Sequence, residues 1–205
     1  MSLSPDSPIA DEKQRLQALI LGVWLFLITL AMVFATTIVG YVVVRLQLVS
    51  ANEWKPEGAP GLPWELFVST LLLLASSGST HAARSAVCRG ASGRKAGGWM
   101  ALTCALAAGF LFFQALAWSD LIRQELTFGD SLYAWLFFVL TGLHALHVLC
   151  GLPPLGIVTG RAFRGAYGPE PTSHAGLTFF AMYWHFLDAV WLVLYLVLLW
   201  GSRPG

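Results

Sequence analysis

Charge is what this sequence has least of. Only 11% of its 205 residues are Asp, Glu, Lys or Arg, against about 25% in a typical soluble domain. A chain so poor in charge is not an ordinary water-soluble globule. Its formal net charge is +1, so no basic field points to a nucleic-acid partner. Cysteine is scarce as well. Cys88, Cys104 and Cys150 lie far apart with no C-x-x-C pair, which excludes the usual zinc, iron–sulfur and c-type haem attachment motifs and provides no disulfide framework. The opening stretch MSLSPDSPIADEKQRLQ lacks the basic region, short apolar run and small-residue cleavage site of a secretory signal. Residues 1–15 are expected to remain as a polar tail.

What the chain has in quantity is apolar length: 57% of its residues are hydrophobic. A membrane helix needs about 20 consecutive, mostly apolar residues. Five stretches meet that need, over about 16–46, 66–86, 98–118, 132–159 and 175–201. The fold class is therefore all-α, a polytopic bundle of five transmembrane helices over 16–205. The connectors EWKPEGAPGLPWE and CRGASGRKAGG carry the Pro, Gly and charge that the helices lack. Pro153 and Pro154 are expected to kink or end the regular part of the fourth helix.

Orientation follows from the basic residues. With five spans, one side holds Lys13, Arg15, Arg84, Arg89, Arg94, Lys95, Arg161 and Arg164. The other holds Arg45, Lys55, Arg123 and Arg203. The positive-inside rule places the first group, and the N-terminus, in the cytoplasm and the C-terminus outside.

The polar residues inside the spans carry the most information. At 1.5 Å per residue, His185 lies roughly 15 Å into the fifth helix. Asp188 follows one turn on. His144 and His147 lie near the middle of the antiparallel fourth helix, so all four share a depth. Each pair is spaced i,i+3 and shares one helix face, which Thr141 extends on the fourth helix. Ionisable groups in a membrane are costly and face the bundle interior. Three readings are open: a metal or haem site on three His and one Asp, a hydrogen-bonded clasp between the fourth and fifth helices, and a proton relay. Gln114 reads as an interhelical hydrogen bond. Trp184, Trp191 and Tyr195 read as helix packing or lipid contact. His81 and His174 are expected to reach the membrane interface, and the cysteines to act as small packing residues.

Two segments, FFVLTGLHALHVLCG (Phe137–Gly151) and YWHFLDAVWLVLY (Tyr183–Tyr195), resemble the signature helices of the cytochrome c oxidase subunit III family of haem–copper oxidases. GVWLFLITLAMVF (Gly22–Phe34), STLLLLASSGST (Ser69–Thr80), FFQALAW (Phe112–Trp118) and FGDSLYAWLFF (Phe128–Phe138) are similar to that family's other helices, in the same order. The resemblance implies a non-catalytic subunit that supports sustained proton uptake and stability. It packs beside oxidase subunit I, with subunit II and a small subunit IV as further partners, in a bacterial cell membrane. It implies that haem and copper are bound by partner subunits and none by this chain, with structural phospholipid as an expected ligand. The chain matches the last five helices of the family's seven-helix form, as shorter bacterial members do. Relatives that lack the first two helices can receive them from subunit I, so a longer partner is expected.

The chain departs from the family at two positions. Leu30 and Ala117 stand where many members carry glutamate. A role resting on those carboxylates does not carry over, whereas His144, His147, His185 and Asp188 all match. Alternatives to the oxidase reading are a subunit III-like protein of a quinol oxidase or nitric oxide reductase, and a stand-alone transporter or proton channel. The absence of an internal repeat counts against the last.

Overall fold

The computed structural model describes residues 8–49, 54, 61–124 and 131–203, with side chains from Gln14 to Leu48 in the first helix. It holds five α-helices: α1 (Pro8–Val49), α2 (Glu65–Cys88), α3 (Gly93–Arg123), α4 (Leu132–Phe163) and α5 (Ala175–Gly201). All five are long and apolar enough to cross a membrane. Helix α5 has the bounds expected from the sequence, but α1 begins inside the stretch read as a polar tail and α3 outruns its apolar core at both ends. The reason is that hydropathy marks only the stretch that lipid requires, while backbone hydrogen bonding continues into the polar flanks.

Helix α4 runs through Pro153 and Pro154 to Phe163. The prolines do not end it. Inside a bilayer no water satisfies freed backbone groups, so a continuous helix remains the least costly path. Glycines end two helices instead. Gly90 (φ 69°) and Gly165 (φ 67°) occupy the left-handed region. Beyond them, Ala91 N–H donates to Ala86 O at 2.9 Å and Ala166 N–H to Arg161 O at 3.1 Å. Each is a Schellman closure, satisfying carbonyls that a helix end otherwise leaves unpaired. Gly165→Val should therefore cost about 1–2 kcal/mol, since a β-branched residue is strained at this φ. A thermal melt of the purified chain in mild detergent checks this, and an unchanged midpoint would remove the argument.

Helices α2, α3, α4 and α5 form a ring in which α2 packs on α3, α3 on α4, α4 on α5, and α5 back on α2. Helix α1 stands outside this ring, against α5 and α4. Glycines allow a close approach at the α3–α4 corner. A Cβ on Gly93 would lie 2.6 Å from Ala162 O and 2.8 Å from Gly165 Cα, and one on Gly97 would lie 2.6 Å from the Phe163 ring. These small residues let the helices approach closely, and such packing drives association in lipid, where the hydrophobic effect between helices is absent.

At one end of the bundle, Arg45 ties α1 to α5. Its Nη2 donates to Arg203 O at 2.8 Å, and the guanidinium carbon lies 5.3 Å from the ring centroids of both Trp54 and Trp200. Trp54 Nε1 donates to Gly201 O at 2.9 Å. At the other end, the α4–α5 connection folds on itself. His174 Nδ1 pairs with Gly168 O at 2.9 Å, and its Nε2 lies 3.7 Å from Cys88 Sγ. His174 is buried. Arg161 sits 5.5 Å over the Tyr167 ring. Burial pushes the Tyr167 hydroxyl above its ordinary pKa, against the pull of Arg161.

Candidate functional site

The bundle interior is organised around one repeated device. A serine or threonine hydroxyl donates to a carbonyl of its own helix, and its oxygen then accepts an indole N–H from a neighbouring helix. Thr70 donates to Leu66 O at 2.7 Å and accepts from Trp191 at 2.9 Å. Ser76 donates to Leu73 O at 2.6 Å and accepts from Trp184 at 2.9 Å. Thr141 donates to Phe137 O at 2.7 Å and accepts from Trp118 at 3.0 Å. An indole is a donor only, while a hydroxyl both donates and accepts, so each pairing satisfies both groups without water. The first two latches join α2 to α5, and the third joins α3 to α4. Ser79 adds a bond to Thr103 at 2.7 Å between α2 and α3.

The polar pairs singled out from the sequence fall around this frame. His144 is fully buried. Its ring lies 4.8 Å from that of Trp191, 5.7 Å from Phe110 and 6.1 Å from Phe34, and neither ring nitrogen has a hydrogen-bond partner among the described residues. His147 Nδ1 pairs with Leu143 O of its own helix at 2.7 Å, and its backbone carbonyl accepts from the Tyr183 hydroxyl at 2.7 Å. The side chains that join α4 to α5 at this depth are thus Trp191, tilted against His144, and Tyr183, bonded to His147. His185 turns the other way. Its Nδ1 lies 2.5 Å from Ser77 Oγ on α2 and 4.0 Å from Asp188 Oδ2. No hydrogen bond between the α4 histidines and the His185–Asp188 pair occurs among the described residues.

Gln114 is buried in α3 with both amide atoms unpartnered. Tyr195 is half-buried against the core. Leu30 and Ala117 are both buried core residues. No group of three or more His, Cys, Asp or Glu with the spacing to hold a metal occurs among the described residues. The residues that sequence reasoning missed are the α2 hydroxyls. Their signal was present: Thr70, Ser76 and Ser77 interrupt an otherwise apolar span, and hydroxyls in membrane helices commonly mark a helix–helix contact.

Five helices long and apolar enough to span a membrane, joined by buried hydroxyl-to-indole contacts, define the class as a polytopic helical membrane protein. Comparison with known proteins identifies the particular family. The chain matches the family described as cytochrome c oxidase subunit III over residues 11–203. It is similar to proteins named cytochrome c oxidase subunit 3 from Synechocystis sp., 33% identical over 86% of this chain and 72% of that one, and from Corynebacterium diphtheriae, 33% identical over 86% and 85%. An Arabidopsis thaliana protein of the same name is 36% identical over 72% of this chain, which spans about half (54%) of that relative's length. The chain belongs to the cytochrome c oxidase subunit III family, whose members are non-catalytic subunits of haem–copper oxidases and carry no redox cofactor themselves.

Proposed function

We propose that this chain packs beside subunit I of a bacterial terminal oxidase, with its N-terminus cytoplasmic, and keeps that complex intact during oxygen reduction. The observation that carries this reading is the family match across nearly the whole chain. Haem and copper reside in the partner subunits, with subunit II and a small subunit IV in the same complex. The basic residues favour the orientation. Two apolar grooves beside α1 favour bound phospholipid chains: one of about 480 Å³ against α5, lined by Leu27, Ala31, Met182 and Phe186 among others, and one of about 410 Å³ against α4 and α5, lined by Phe26, Pro154, Phe180 and Tyr183 among others. Support of proton uptake belongs to groups other than the positions held by Leu30 and Ala117. His144, His147, His185, Asp188 and Thr141 serve the packing of α2, α3, α4 and α5.

The test is to purify the tagged chain from native membranes in mild detergent and record a reduced-minus-oxidised spectrum. The expected result is haem signal with a larger partner, lost when this chain is stripped away. Haem retained by the isolated chain, or no haem and no partner, overturns the reading. In the complex, Asp188→Ala should loosen this subunit without changing haem content per subunit I. Loss of haem from the assembled variant would show a role beyond packing.

A further inference from the structure

Asp188 poses a problem that packing does not solve. Its side chain is 6% exposed; neither carboxyl oxygen has a partner at full hydrogen-bond geometry among the described residues, and the Ser77 hydroxyl is the group within reach of it. A bare carboxylate in such a place is costly unless neighbouring groups answer its charge. The groups around it can carry a proton. His185 Nδ1 is 4.0 Å from Asp188 Oδ2, and Ser77 Oγ is 2.5 Å from the same nitrogen. The His185 side chain is 40% exposed and borders the groove between α1 and α5, whose other lining residues include the apolar Trp24, Leu27, Ile28 and Ala31.

His81 and Arg84 of α2 lie within electrostatic reach of His185. Both are exposed and lie one and two turns beyond Ser77 towards the helix end at Cys88. The spacing 77, 81, 84 places all three on one face of α2. Of the titratable groups on α4, His144 and His147 act on one another.

We propose that Ser77, His185 and Asp188 form a proton-exchange site, loaded from the α2 face that carries His81 and Arg84 and holding its proton on Asp188. The arrangement begins with the Nδ1–H tautomer of His185 and an ionised Asp188. A proton arriving at Nε2 makes the ring an imidazolium. Nδ1–H then gives its proton to Ser77 Oγ as the serine's own proton passes to Asp188. The sum transfers one proton to the carboxylate, restores the serine hydroxyl and leaves the ring neutral as its other tautomer. Release is the reverse. This site rests on the chain's own geometry and not on the oxidase reading.

Infrared spectroscopy of the full purified chain, in H2O and D2O, tests it directly. The expected result is a carboxylic-acid carbonyl band that shifts on deuteration and is absent from Asp188→Asn. In Ser77→Ala and in His185→Phe the band should persist but exchange deuterium about tenfold more slowly. The wild-type spectrum decides on its own if a variant fails to fold. No deuterium-sensitive acid band in the wild type, the same band in Asp188→Asn, or unslowed exchange in a folded Ser77→Ala overturns the proposal. Each of these readouts is independent of any partner, so failure of the oxidase reading would leave them unchanged.

Discussion

Replacing Trp184 by alanine should cost about 3–5 kcal/mol, the largest loss expected from any single substitution in the bundle. The side chain is fully buried. It stacks on Phe180 with ring centroids 5.3 Å apart and donates to Ser76 on the neighbouring helix. Gly151 of α4 makes room for it, since a Cβ there would meet the indole at 3.1 Å. One ring therefore touches α2, α4 and α5, and its removal opens a cavity where the three meet. Most of the cost is lost packing. An interhelical hydrogen bond inside a membrane averages only about 0.6 kcal/mol, with an upper value of about 1.7. Trp184→Phe, which deletes the donor but keeps most of the volume, should consequently be much milder. Thermal unfolding of both variants in mild detergent separates the two contributions. Equal damage from Phe and Ala would mean that the hydrogen bond, not the volume, holds this junction.

Arg45→Ala is expected to free one end of α1, at a cost of about 2 kcal/mol or more. The guanidinium contributes two cation–π contacts, each worth about 0.5–2 kcal/mol, and one charge-assisted bond to Arg203 O, worth about 1.5–3 kcal/mol. Against this stands the cost of burying a cation whose Nε and Nη1 have no partner among the described residues. That opposition predicts an ordering: Arg45→Met, which keeps the length and removes the charge, should lie between wild type and Arg45→Ala. Hydrogen exchange provides the readout, because among the described helices α1 touches α4 and α5 but not α2 or α3. Amides of residues 41–48 should exchange faster in Arg45→Ala, while those at the α2–α3 contact stay protected. Uniform acceleration across all five helices would mean that α1 is not a separable element.

Why the sequence revealed some of this and not the rest is clear from His185. Its depth follows from counting residues at a fixed rise, and so does that of His144, His147 and Asp188. Depth is only one coordinate. The direction in which a side chain leaves its helix is read in soluble proteins from the alternation of apolar and polar residues, and YWHFLDAVWLVLYLVLLW has almost no such alternation. Two helices at matching depth therefore suggested α4 as the partner of the α5 pair, while the ring order places Ser77 of α2 beside His185. The same blindness hid the function of Trp184 and Trp191. They read as packing or lipid contacts, because the hydroxyls that receive their N–H groups lie more than a hundred residues away in the chain.

The sequence by itself determined the number of spans, their antiparallel alternation and the matching helix positions of His144, His147, His185 and Asp188. Those depend on bilayer thickness and helix rise, which are the same for all proteins. It also determined that no carboxylate stands at positions 30 and 117. The tertiary structure decided which helix faces meet, because that choice depends on shape. Gly93 and Gly97 let α3 close against α4, and α2 lies beside α5 so that Thr70, Ser76 and Ser77 meet Trp191, Trp184 and His185. In lipid every helix surface is equally apolar, so interdigitation and a few hydroxyl-to-indole bonds select one arrangement from many.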